Sequence, residues 1–154
     1  MSVEILESKK VRVIVNTDAK NEVDDQFAIV HALLSPSFRI AGIIPAHFGK
    51  EKSTHSMEDS RQEVDLLLDM LHMAGTIRVE NGAAHALPDE ITPVDSAGAR
   101  LIIEEAMKDD PSPLYIAFLG PLTDMASADP DDMHAPCRNL RAQQQGGRHV
   151  CQRA

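Results

Sequence analysis

The feature that most constrains this chain is a regular exchange between short β-branched runs and longer amphipathic ones. Val11 to Val15 (VRVIV) reads as a buried strand. A polar turn follows from Asn16 to Val23. From Asp24 to Leu34 the residues Phe27, Val30 and Leu34, with Ile29 and Leu33, recur at helical spacing, and Ser35-Pro36 ends that helix. Phe38 to Ile44 (FRIAGII) reads as a second strand. After a polar loop from His47 to Met57, the spacing predicts a helix over Ser56–Met73, with Val64, Leu67, Leu68 and Leu71 on one face. Thr76 to Val79 reads as a brief strand, Asn81 to Val94 as a loop, and Ser96 to Met107 as a third helix. Leu114 to Leu119 (LYIAFL) is the strongest strand signal, and Gly120-Pro121 turns into a short helix from Leu122 to about Ala128. Strands that alternate with helices indicate an α/β fold, a mostly parallel sheet with flanking helices.

The 154 residues suffice for one domain with a core. A net charge of −9 argues against nucleic acid or anionic lipid as a partner. No apolar run approaches the roughly 20 residues of a membrane helix. Met1 to Lys10 carries no apolar signal core, so a cytoplasmic location is expected. Cys137 and Cys151 both lie late in the chain, which gives no disulfide framework. With no Trp and one Tyr, the chain lacks material for an aromatic sugar-stacking platform. From Asp129 to Ala154 large apolar residues are few, and three glutamines and a Gly-Gly pair stand among arginines. No strand or amphipathic helix is legible there. His134, Cys137, His149 and Cys151 have a spacing that fits no regular zinc finger.

The chemistry concentrates in Asn16-Thr17-Asp18-Ala19-Lys20-Asn21-Glu22-Val23-Asp24-Asp25-Gln26. This stretch leaves the carboxyl end of the first strand and enters the first helix, the edge where open α/β sheets bind ligands. Four carboxylates within eight residues repel one another unless solvated or neutralised. A hard divalent cation neutralises them and takes oxygen ligands, and Ca2+ tolerates a mixed loop-and-helix set better than zinc does. A helix-capping role is the alternative, with Asn21 and Asp24 as a cap pair and the acids favoured by the helix dipole.

Asn-Thr-Asp18 followed by Asp24-Asp25-Gln-Phe-Ala-Ile resembles the N-terminal signature of the inosine/uridine-preferring nucleoside hydrolases, an aspartate-rich turn of the form DTDxGxDDxxA. A second likeness lies in Phe118-Leu119-Gly120-Pro121-Leu122-Thr123-Asp124-Met125-Ala126, similar to the family's strand-GPLTN-helix segment. The resemblance covers roughly residues 10 to 128 and implies a Rossmann-like fold that hydrolyses the N-glycosidic bond of ribonucleosides with Ca2+. By this likeness Asp18 is a metal ligand and the base that accepts the proton of water, Asp25 is the bidentate ligand, and the Leu119 carbonyl is a further ligand. Asp24 would bind the ribose hydroxyls. Lys50, after Gly49, stands where the family carries a substrate-binding asparagine.

The chain departs from the family's pattern. Its first turn is two residues longer, Ala19-Lys20-Asn21-Glu22 replaces the usual proline and glycine, and Asp124 replaces an asparagine. The Asn-Glu-x-Asp-Asp-Gln form resembles a divergent branch of the superfamily. The family's further aspartate ligand and acidic histidine come from a C-terminal half with no counterpart in this sequence. We therefore expect residues 1–128 to form the N-terminal part of such a domain and 129–154 to be a disordered or aberrant tail. The expected partner is a small ribonucleoside or related ribosyl compound, with a second copy of the chain as a further candidate. Turnover is expected to be weak or absent. The rival expectation is a non-catalytic structural or partner-binding module of the same fold. A magnesium phosphohydrolase with Asp18 as nucleophile gains nothing from the GPLTD segment. His47, His55 and His85 are loop candidates for touching a substrate, and Glu22 for supporting a metal.

Overall fold

The computed structural model describes residues 5–128 and, as strands, 140–145 and 148–153. Strand β1 (Val11–Thr17) lies centrally, parallel to β2 (Phe38–Pro45) on one side and to β3 (Leu114–Phe118) on the other. Two further strands, β4 (Leu140–Gln145) and β5 (Arg148–Arg153), extend the sheet in the order β2-β1-β3-β5-β4, with β5 antiparallel to β3. The sequence reading expects no strand beyond Ala128. What decides the matter is backbone pairing along the free edge of β3, which apolar periodicity does not report. The remaining tail residues, His134 and Cys137 among them, lie outside the described residues.

The helices follow the expected order. Helix α1 (Asp24–Leu34) starts and stops where the apolar spacing puts it. Helix α2 (Ser56–Met70) ends three residues early, because His72 and Gly75 take left-handed backbone conformations. That turn also consumes half of the strand expected at Thr76–Val79: Thr76 folds back onto the Met73 carbonyl, and a lone bridge between Val79 and Ile43 remains. Helix α3 (Ala97–Met107) is capped by Ser96, whose hydroxyl accepts from the Ala99 N–H, and α4 (Thr123–Ser127) follows β3.

Two cores sandwich β1, as a parallel strand requires. Ile14, Ile44, Ile116 and Phe118 pack with Leu101 and Ile102 of α3 on one face. Val13, Val15 and Ile43 pack with Ile29 of α1 and Val64 and Leu68 of α2 on the other. Arg12 is the exception to the apolar run. It is buried at the amino end of β1, where its guanidinium donates to the Glu105 carbonyl at 2.9 Å and pairs with the Glu105 carboxylate at 3.3 Å. On the α1 face the sheet is incompletely covered. A groove of about 770 Å3 runs between α1 and β3, lined by Val13, Val15, Phe27, Ala117 and Leu119.

Candidate functional site

The carboxyl end of β1 delivers Asn16, Thr17 and Asp18 in succession to one rim of the sheet, all buried. Asp25, in the first turn of α1 and also buried, reaches back to that rim. Its Oδ2 accepts from the Thr17 hydroxyl at 2.8 Å and from the Asp18 N–H at 3.1 Å. Asp18 and Asp25 therefore converge, as expected. Burial, reinforced by the hydrogen bond and charge of Asp25, raises the Asp18 carboxyl from its ordinary 3.8 to about 6.

Of the capping alternative, Asp24 and Asp25 do stand in the first turn of α1, where the helix dipole favours acids, but the Asn21–Asp24 cap pair does not form. Val23 is the N-cap of α1, and no side chain caps it. Asn21 instead donates to Asp18 Oδ2 at 3.2 Å. The lengthened turn is pinned from outside, by Lys20 on Glu63 of α2 at 2.7 Å and by Lys52 on the side-chain oxygen of Asn21.

The second motif packs directly on the first. The Leu119 N–H donates to the Asn16 carbonyl at 2.9 Å, and Gly120 rests against the Asp18 carboxylate. A Cβ at residue 120 would stand 2.7 Å from Asp18 Cγ, so only glycine lets the chain pass. The segment that carries Leu119 is thus placed beside Asp18.

Behind this rim lies a network the sequence reading missed. Asp124, almost wholly buried, accepts from Asn16 Nδ2 at 2.9 Å, from the Ala83 N–H at 2.8 Å and from the Ser96 hydroxyl at 2.7 Å. Gly82 admits this carboxylate, since a Cβ there would lie 2.5 Å from Asp124 Oδ2. Asn16 Oδ1 is buried and has no hydrogen-bond partner among the described residues. The resembled motifs carry an aspartate at position 16 and an asparagine at position 124, and this chain carries the two exchanged. The signal available in the sequence was that reciprocal change at two departures from the motifs.

The other candidates separate. Asp24 is exposed and lines the groove on the α1 face, whereas Lys50 is exposed in a different cavity, with His47 and His85. His47 is buried, its Nε2 2.9 Å from the Thr123 hydroxyl and its Nδ1 accepting from the Gly49 N–H at 3.3 Å. Burial lowers its basicity; nearby Asp124 opposes this and His85 adds to it. Glu22 and His55 are exposed. Among the described residues no group of three or more His, Cys, Asp or Glu side chains could hold a metal. Asp18 and Asp25 together are fewer charged groups than a dedicated calcium cage supplies.

Because its folded pKa is raised, protonated Asp18 favours the native state below about pH 4, and that contribution is lost as pH rises through about 6. Asp18→Asn keeps an acceptor for Asn21 and removes the charge. In chelator it should raise Tm by several degrees at about pH 7.5 and by far less at about pH 4. Equal shifts at both would refute the charge conflict. Asn16→Asp sets a second buried carboxylate against Asp124 and should cost about 3 kcal/mol in urea denaturation. Adding Asp124→Asn should recover most of that loss. The new amide would donate to the carboxylate introduced at position 16, while its oxygen keeps the Ala83 and Ser96 contacts. Additive losses would show that the pair does not act as a unit.

No known protein family and no curated protein matches the sequence. Among solved structures, a nucleoside hydrolase-related hypothetical protein from Saccharophagus degradans, described as associated with carbohydrate metabolism, superimposes with a TM-score of 0.62 at 20% identity. The match takes in 84% of this chain and 35% of that one, so the chain spans about a third of that structure's length. A putative methyltransferase from Pseudomonas syringae reaches a TM-score of only 0.35 at 14% identity, over 96% of this chain and 90% of that one, which is too low to indicate a shared fold. In architecture, then, the protein is an α/β chain with a nucleoside-hydrolase-like fold.

Proposed function

We propose that Asp18 and Asp25 form the acidic half of a Ca2+-dependent site for hydrolysis of the N-glycosidic bond of a ribosyl compound. The observation that carries this reading is the convergence of two buried carboxylates at the carboxyl rim of β1, with Gly120 packed on Asp18. Burial first, and then the neighbouring Asp25, disfavour the charged form of Asp18, and a cation joined to both acids would relieve that conflict as a proton does. When bound, such a cation would acidify a water and orient the sugar diol. Asp25 is held by Thr17 and the Asp18 N–H, which suits a fixed ligand. Asp18, with one oxygen engaged by Asn21, would accept the proton of the attacking water. The Leu119 carbonyl completes the assigned ligands, and Asp24 and Lys50 are assigned to the substrate.

Three ligands leave calcium under-coordinated, and no described side chain is assigned to protonate the leaving base. The chain should therefore bind Ca2+ weakly, with Kd on the order of 1 mM by calorimetry. Asp25→Ala should abolish the heat, and inosine or uridine should release little free base. Equal heats for the two proteins would overturn the metal assignment, and ready release of base would overturn the weak-turnover reading.

A second reading, a non-catalytic module that associates through its sheet, is favoured by the apolar groove beside α1, where Phe27 is 72% exposed. Size-exclusion chromatography separates the two. Association would give a dimer or larger species that Phe27→Ser returns to monomer, and a monomer at every concentration would sink it.

A further inference from the structure

The loop after β2 builds a second cavity on the same rim. Ala46 donates to the Thr17 carbonyl at 2.7 Å, so the chain leaves β2 beside the carboxyl end of β1. Residues 47–50 then face residues 84–86 across a space of about 380 Å3. Its wall holds His47, Lys50 and His85 with the small residues Gly49, Ala84 and Ala86 and, among the described residues, no acidic side chain. In a chain of net charge −9, a cavity walled only by neutral and basic groups is a local reversal of the overall field.

The wall is organised. Gly49, at φ 87°, turns the chain and donates its N–H to His47 Nδ1. That bond leaves the proton on Nε2, which points to Thr123. The imidazole is thereby fixed as a rigid neutral face. The Nδ1 of His85 lies 2.9 Å from the Ala86 carbonyl and donates to it, so Nε2 is an acceptor in the neutral ring and becomes a donor to an anion when the ring takes a second proton. The Lys50 ammonium is exposed on the same wall. Two residues on, Lys52 grips Asn21, and Asn21 donates to Asp18. One loop therefore supplies the basic wall and is tethered to the carboxylate pair.

We propose that this cavity binds an oxyanion, a phosphate or a carboxylate, between Lys50 and the doubly protonated ring of His85. With the hydrolase reading above, on which this second part rests, the compound at Asp18 and Asp25 is a ribosyl compound with a negatively charged substituent rather than a neutral nucleoside. The lengthened acidic turn and the lysine after Gly49 then have one explanation. The acids take the cation and the sugar diol, and the basic wall takes the far, charged end of the substrate.

The test uses the full chain and imidazole-detected NMR. Inorganic phosphate, titrated without calcium at about pH 6, near which histidine takes its second proton, should shift the ring signals of His47 and His85 saturably at constant ionic strength, while the exposed His55 stays put. Lys50→Gln should weaken that binding about tenfold, and Asp25→Ala should leave it intact. In Ca2+, ribose 5-phosphate should bind about tenfold tighter than ribose, and Lys50→Gln should erase the difference. No shift at His47 and His85, or equal binding by Lys50→Gln, overturns the oxyanion site. Phosphate binding as described, with no ribose binding in Ca2+, keeps the oxyanion site and overturns the hydrolase reading with the ribosyl assignment.

Discussion

Two carboxylates under low-dielectric cover repel one another, and most of the rim at the carboxyl end of β1 can be understood as the structure's answer to that repulsion. Asp25 spends one oxygen on the Thr17 hydroxyl and the Asp18 amide. Asp18 has an amide donor from Asn21, yet its carboxyl remains well above its ordinary range. Neutral donors do not fully compensate the pair. A third acid, Asp124, lies one layer deeper and is satisfied by three donors, so it adds no uncompensated charge to the first two. The rim thus separates into a settled carboxylate that supports and an unsettled, buried pair at the end of the strand. The unsettled pair is where chemistry is expected.

Much of the fold was legible in the sequence, because the parallel strands announce themselves as apolar runs and α1 and α3 as amphipathic stretches. Helices α1 and α3 follow the spacing closely. The failures have physical causes. The end of α2 is set by two left-handed residues, one of them His72, a residue type that does not advertise such a turn. The β4–β5 pair rests on backbone hydrogen bonds, whose partners no side-chain pattern names. Of the site, the convergence of residues 18 and 25 could be read locally, being seven apart across one strand-to-helix turn. The Asn16–Asp124 bond spans 108 positions, so no local pattern could reveal it. It became visible only when both motifs stood side by side in space.

The long first turn illustrates how an insertion is accommodated. Two extra residues could have left a floppy loop, but Lys20 and Gln26 both reach Glu63 on α2, and Lys52 holds Asn21. The turn is stapled to the neighbouring helix and the neighbouring loop. Its polar side chains contribute position, with exposed Lys20 meeting the buried Glu63 carboxylate.

Strand β1 has a further property that bears on how the molecule assembles. Its amino end buries Arg12 and its carboxyl end leads into buried Asn16 and Asp18, with apolar residues between. A slip by one residue would drive a charge into a hydrophobic layer and expose an aliphatic side chain, so the register is locked at both ends. The compensating partners, Glu105 and Asp124, come roughly a hundred positions later. The first strand and helix can form early as local structure, but their polar ends find relief only once α3 and α4 arrive. Assembly of this sheet is therefore a late, collective closure over a long stretch of chain, and the opening thirty residues are hostage to the last part of the parallel core.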